Sequence, residues 1–263
     1  MDNFILVIYA GIFVWGMTAL GAGLIFLLKN IKQIYLDGML GFAAGVMIAA
    51  SFTSLILPAL DYAQIEHSPT QSMLMVGGGI LIGTLFLMLM DKILPHLHAI
   101  SNVTEGPKTS LKRSFLLVLA ITLHNIPEGL AVGVAFGAYG ATGNAVLLTS
   151  AIGLALGIGI QNFPEGAAVS FPLYREGYSK KKSFFYGQLS GIVEPIMVII
   201  GYFLVNIMKP ILPFALAFAA GAMMFVVIEE LIPESQTNKN IHLMTLMTMV
   251  GLVVMLTLDV LLG

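Results

Sequence analysis

Eight apolar stretches of about twenty residues run the length of this chain, and all of its Lys and Arg side chains fall in the joints between them. The stretches cover residues 4–28, 38–60, 73–91, 114–138, 146–173, 184–207, 211–233 and 240–262. A helix crosses a hydrocarbon core about 30 Å thick with roughly 20 residues. Inside that core each backbone N–H and C=O must find its partner within the protein, so only helices and closed barrels span it. The stretches are rich in Leu, Ala and Gly and do not alternate in polarity, which favours helices over barrel strands. Prolines at 58, 95, 172, 210 and 233 stand near the expected ends, as helix breakers should. The expected fold is an all-α membrane protein with eight transmembrane helices, a single transmembrane domain over residues 1–263. Charged residues make up only 10% of the chain, against about 25% in soluble domains.

Basic residues set the expected orientation. Lys29 and Lys32 follow the first span, Lys92, Lys108, Lys112 and Arg113 the third, Arg175 and Lys180 to Lys182 the fifth, and Lys239 the seventh. Of the 12 Lys and Arg residues, Lys209 alone falls on the other side. The positive-inside rule makes the first set cytoplasmic, including a loop over 92–113, and puts both termini outside a plasma membrane. The N-terminus lacks a positive leader region, so its apolar run reads as a retained helix. A net charge of −2 argues against nucleic acid as a partner, and the absence of cysteine excludes disulfides and thiolate ligands.

Two hexads break the apolar pattern. His124-Asn125-Ile126-Pro127-Glu128-Gly129 lies in span 4, and Gln161-Asn162-Phe163-Pro164-Glu165-Gly166 recurs 37 residues later in span 5. A charge at the bilayer centre costs at least about 2.5–3.5 kcal/mol, so such groups mark function. His124 and Glu128 are four apart and share a helix face, as do Gln161 and Glu165. Pro127 and Pro164 leave the carbonyls of Leu123 and Ile160 without their usual donors. At 1.5 Å per residue both hexads fall near the midplane. Two carboxylates match the charge of one divalent ion. Imidazole with carboxylate suits Zn²⁺, Fe²⁺, Mn²⁺ or Cd²⁺ better than Ca²⁺ or Mg²⁺. The hexads therefore predict the two halves of a divalent-metal site in a membrane transporter, with the ion as substrate and no catalytic cofactor.

Other polar residues are secondary candidates. Glu194, followed by Pro195, is expected near the midplane of span 6 as a third carboxylate that lets a second metal bind. Met47 lies at similar depth in span 2, although methionine is usually core filler. Glu229 and Glu230 stand near the end of span 7, either receiving the ion or solvated at the interface. Asp91 and Asp259 are expected at headgroup level. Ser51 and Ser54 either line a path or bond their own helix. His96 and His98 in the 92–113 loop form a weak metal-binding signal, and His67 and His242 read as solvated.

The chain also carries internal similarity. Gly41-Phe42-Ala43-Ala44-Gly45-Val46-Met47 in span 2 matches Ala217-Phe218-Ala219-Ala220-Gly221-Ala222-Met223 in span 7. Span 7 comes five helices after span 2, so the copies run in opposite directions. This predicts an inverted repeat, spans 1–3 against 6–8, with spans 4 and 5 between.

These residues together resemble the ZIP (Zrt/Irt-like) metal transporters, in particular the bacterial GufA/ZupT-like branch. The resemblance rests on both hexads and on the run from Glu229 to Glu234. It implies a 3+2+3 bundle, often a homodimer in the lipid bilayer, that takes up Zn²⁺ and related divalent cations. It implies a binuclear centre on His124, Asn125, Glu128, Gln161, Asn162, Glu165 and Glu194, with Met47 contributing. Some relatives have Asp at the position of Asn162, so the charge here is one lower. A proton-linked efflux carrier would use the same ligands, with Glu194 or Glu230 as relay. An intramembrane zinc hydrolase needs about three strong ligands and an open position, whereas this chain has one deep histidine and no HExxH. No lysine lies inside a span to hold retinal, and no ATP-binding motif is present. A transporter rather than an enzyme is expected.

Overall fold

The computed structural model describes residues 3–28, 31–93, 96–97, 104–105, 113–207, 211–237 and 239–262. Its helices are α1 (Asn3–Leu27), α2 (Gln33–Ala50), α3 (Leu57–Glu66), α4 (Pro69–Ile93), α5 (Arg113–Thr142), α6 (Ala145–Arg175), α7 (Lys180–Ser190), α8 (Val193–Ile207), α9 (Leu212–Val226), α10 (Ile232–Ser235) and α11 (Ile241–Leu262). Among the described residues, seven segments are long and apolar enough to cross a membrane. The helix that carries the first hexad, α5, is 30 residues long and is not one of the seven. Between α4 and α5, His96–Leu97 (β1) pairs antiparallel with Thr104–Glu105 (β2). His98 and most of the 92–113 loop lie outside the described residues, as does Lys209.

Two spans contain a π-helical stretch, and a proline accounts for each. The second continues from Gln33 to Glu66 through a π-helical stretch, Ser51–Ile56. The seventh contains the same feature at Val227–Leu231. Each stretch begins four residues after the methionine of the repeated motif, and each is followed by a proline, Pro58 or Pro233. A proline cannot donate to the carbonyl four residues back. The wider turn moves the neighbouring bonds instead, so that Leu57 N donates to Phe52 O and Ile232 N to Val227 O. π-turns of this kind often mark functional sites.

The span expected at 184–207 is two helices meeting at Gly191–Ile192. Pro195 has no N–H for the Gly191 carbonyl, and Glu194 N donates to it at 3.0 Å instead. The broken turn frees further carbonyls, and other helices satisfy them. The Trp15 indole donates to Gln188 O at 3.0 Å and the Asn125 amide to Ser190 O at 3.1 Å.

The helices pack in four close pairs: α1 on α6, α5 on α8, α2 on α11 and α4 on α9. In lipid no hydrophobic force draws apolar helices together, so close packing of small residues takes its place. A side chain at Gly45 would overlap the Thr248 carbonyl, and one at Gly221 would overlap that of Ile80. Conversely, α11 brings Gly251 against Phe42 O, and α4 brings Gly83 against Phe218 O. At the short α5–α6 connection Gly143 adopts φ +67°, and Asn144 caps α6 by accepting from Val146 N at 3.0 Å. That two-residue joint turns α6 back along α5.

Gly45→Ala should lower the stability of the detergent-solubilised protein by about 1–3 kcal/mol, because backbone must move to admit the methyl group. A Cβ at Gly78 would meet nothing within 4 Å, so Gly78→Ala should stay within about 0.5 kcal/mol of the parent. Thermal unfolding of the two variants side by side checks the pair; equal melting temperatures would refute the packing account.

Candidate metal centre

The hexads meet because α5 and α6 are antiparallel neighbours. His124, Asn125, Glu128, Gln161, Asn162 and Glu165 are each at most 3% exposed. Glu128 lies close enough to interact with Gln161, Glu165 and Glu194, and Glu165 with His124 and Glu230. Gly129 and Gly166, the last residues of the hexads, let two backbones in. A Cβ at Gly129 would come within 2.6 Å of Glu194 O, and one at Gly166 would overlap Thr18 O.

The two asparagines hold the hexads in matching fashion. Asn125 donates its amide to Ser190 O at 3.1 Å, and Asn162 donates to Val14 O at 3.2 Å. Each bond ties a hexad to the backbone of a flanking span and leaves the amide oxygen, Oδ1, without a hydrogen-bond partner among the described residues.

The remaining polar atoms divide sharply. Both carboxylate oxygens of Glu128 and both of Glu165 are buried with no well-aligned hydrogen bond from any described residue, as are both polar atoms of the Gln161 amide, which lies within reach of Glu128. Buried polar groups are nearly always bonded, so each exception calls for a cause. Glu194 is the opposite case. Its Oε1 accepts from Thr18 Oγ1 at 3.2 Å and its Oε2 from Asn162 Nδ2 at 2.7 Å. On the far side of the hexads, His124 Nε2 stands 2.5 Å from Glu230 Oε2. Glu234, one turn beyond Glu230, is also buried and within electrostatic reach of His124.

Thus the acids run in series from Glu194 through Glu128 and Glu165 to Glu230 and Glu234. Among the described residues no three His, Asp or Glu side chains converge on one point closely enough to hold an ion as they stand. Oxygen donors from Gln161, Asn125, Asn162 or a freed carbonyl must then complete any shell.

Met47 is fully buried within the main apolar cluster. Glu229 and Glu230, adjacent in sequence, separate: Glu229 is exposed and Glu230 buried. Asp259 is bonded by Thr53 Oγ1 and, at 3.2 Å, by Ser54 Oγ, which ties α11 to the π-helical stretch of the second span. Ser51 Oγ is buried without a partner among the described residues. The backbone of His96 lies in β1. Sequence reasoning left Glu230 undecided and did not single out Thr18, Trp15 or Glu234. A signal for Glu230 and Glu234 existed: they are four apart, and carboxylates at i and i+4 share a face. Thr18 had none, being one hydroxyl in an apolar helix.

Comparison with known proteins gives the chain its family. Residues 100–259 match the family model of the ZIP Zinc transporter. The chain is 39% identical to the human Zinc transporter ZIP11, over 95% of each protein. It is 34% identical to the Zinc transporter GufA of Myxococcus xanthus, over 94% of each. It is 38% identical to the Zinc transporter ZIPB of Bordetella bronchiseptica, over 94% of this chain and 78% of that protein. The chain belongs to the ZIP zinc transporter family and is a multi-pass membrane transporter rather than an enzyme.

Proposed function

We propose that this protein moves Zn²⁺ and related divalent cations (Cd²⁺, Fe²⁺, Mn²⁺) across the plasma membrane into the cytoplasm, through a midplane site between α5 and α6. The observation that carries the reading is the set of four carboxylate oxygens on Glu128 and Glu165, all buried and none bonded by the described residues. Two uncompensated carboxylates in an apolar bundle are costly, and a divalent cation balances both charges at once. His124 and Gln161 stand in reach of these acids and supply nitrogen and oxygen donors of a kind that suits these ions. Asn125 Oδ1 and the carbonyls released by Pro127 and Pro164 are further donors. Glu230 and Glu234 extend the acidic series from His124 towards the end of the seventh span. Met47 remains a secondary ligand on depth alone.

The architecture proposed with this function has eight spans, α5 included, in a 3+2+3 inverted repeat with both termini outside. Matched bonds support it. Asn125 meets Ser190 O as Asn162 meets Val14 O, and Gly129 meets Glu194 O as Gly166 meets Thr18 O. Val14 to Ser190 and Thr18 to Glu194 are the same step along the chain, 176 residues, and the step from Ala43-Ala44-Gly45 to Ala219-Ala220-Gly221 is the same again. The π-helical stretches recur at corresponding places. A chance resemblance of small-residue motifs would not carry hydrogen bonds with it.

Purified protein in proteoliposomes should conduct Zn²⁺ and Cd²⁺, and Glu128→Ala or Glu165→Ala should reduce flux to the level of empty vesicles while the protein still inserts. Normal flux in both variants would remove the hexads as the transport site. Comparing flux with and without a pH gradient separates facilitated movement from proton-coupled efflux. A second test needs no flux. Zn²⁺ at about 100 times its dissociation constant should stabilise the solubilised protein by about 2.7 kcal/mol. Glu165→Gln should abolish that shift yet leave the metal-free protein no less stable, since a neutral amide replaces a buried carboxylate that no described residue bonds. A thermal shift that survives in Glu165→Gln places the ion elsewhere.

A further inference from the structure

We propose that Thr18, Asn162 and Glu194 form a lock between the two halves of the repeat, so that Glu194 is a positioning residue and the midplane site takes one divalent ion rather than two. This inference rests on the transport-site reading above and concerns how many ions that site holds.

A second ion beside the first would need Glu194 and Asn162 as its own ligands. Those two side chains are already bonded to each other. Asn162 Nδ2 gives one hydrogen to Glu194 Oε2 at 2.7 Å and the other to Val14 O at 3.2 Å. The single hydrogen of Thr18 Oγ1 is shared between Glu194 Oε1 at 3.2 Å and Val14 O at 3.4 Å. All three side chains are fully buried. Both carboxylate oxygens of Glu194 are therefore occupied by protein donors, whereas those of Glu128 and Glu165 are not. The bonds join three helices, α1, α6 and α8, at one point.

The repeat explains why the lock closes here. Thr18 and Glu194 occupy equivalent places in the two halves, 176 residues apart. One half supplies a hydroxyl and the other a carboxylate, so what would be two facing acids becomes a donor–acceptor pair. Gly191 leaves the space: a Cβ there would lie 2.9 Å from Thr18 Oγ1 and 3.0 Å from Glu194 Oε1. Asn162 completes the arrangement because an amide donates where a carboxylate would only accept. Aspartate at 162 would face Glu194 with like charge and no hydrogen between them. A cation is then the group best able to hold the two acids together. The identity of residue 162 thus sets the number of ions.

The test is the metal content of the purified full chain in nanodiscs, equilibrated with Cd²⁺ and desalted, measured by mass spectrometry of the metal. Wild type should hold one ion per chain, and Asn162→Asp should hold two. Adding Glu194→Gln to Asn162→Asp should return the count to one. Thr18→Val should keep one ion and lower the melting temperature, which reads the lock without touching a carboxylate. Two ions in wild type, falling to one in Glu194→Gln, would overturn the lock while leaving the transport site intact. An unchanged count of one in Asn162→Asp would overturn the role of residue 162. One ion in wild type that persists in Glu165→Ala, or no ion in wild type, would instead overturn the transport-site reading on which the lock depends.

Discussion

A polar group inside a lipid-embedded bundle has only the protein, or what the protein binds, to satisfy it. Everything at the centre of this molecule follows from that constraint. Pro127, Pro164 and Pro195 each remove a donor from a helix that has no water to fall back on. Two side chains are placed to answer the break at Gly191: Trp15 reaches Gln188 O and Asn125 reaches Ser190 O. The amides of Asn125 and Asn162 act as inter-helix caps, and their oxygens are left without a hydrogen-bond partner among the described residues. Most of the unsatisfied atoms lie on the hexads, on Glu128, Glu165, Gln161 and His124 as well as the two asparagines, and of these His124 alone has an ion pair, with Glu230. The divalent-cation binding proposed above would give that concentration a cause.

Close approach of backbones makes the arrangement possible. An Asn side chain is short, and it spans the gap to a neighbouring carbonyl only if the helices nearly touch. Gly129 against Glu194 O and Gly166 against Thr18 O provide that approach within the hexads themselves. The final glycine of each hexad therefore belongs to the same device as its asparagine. Packing and polar satisfaction are coupled: enlarge the glycine and the amide loses its acceptor.

Much of this was legible in the sequence, and the parts that were not share a reason. Long apolar runs and prolines at their ends gave the helices their places. The hexads stood out because Glu, His and Pro are rare in such company. The matched heptads around Gly45 and Gly221 pointed to the repeat proposed above. What stayed hidden was azimuth and partnership across distant helices. Glu230 could be placed in depth, but nothing in a single sequence says that it faces His124, 2.5 Å away, while Glu229 turns outward. Bonds to backbone carbonyls, such as Asn162 to Val14 O, leave no trace in side-chain identity at the acceptor. The break in the sixth span was signalled by Pro195, yet its apolar flanks read as one continuous helix.

The polar bonds near the centre of the bundle fall into two groups of helices, while towards the ends Arg175 of α6 donates to Gln33 of α2 at 2.6 Å and Tyr62 of α3 meets Thr142 of α5. Trp15–Gln188, Thr18–Glu194, Asn125–Ser190 and Asn162–Val14 all lie within α1, α5, α6, α7 and α8. Thr53–Asp259 and Thr84–Gly221 O lie within α2, α4, α9 and α11 with their π-helical stretches. The contact of His124 with Glu230 crosses from the first group to the second, at the point where the acidic series leaves the hexads. A group held by hydrogen bonds in an apolar medium moves as a unit, because breaking one of those bonds in lipid exposes a polar atom that nothing else can satisfy. Of the polar contacts at the centre, His124–Glu230 is the one that spans the two groups. It joins an imidazole of the proposed transport site to a carboxylate of the other group. If that site holds an ion at Glu165, the ion would compete with Glu230 for the imidazole, and occupancy would be linked to the contact between the groups through a single side chain.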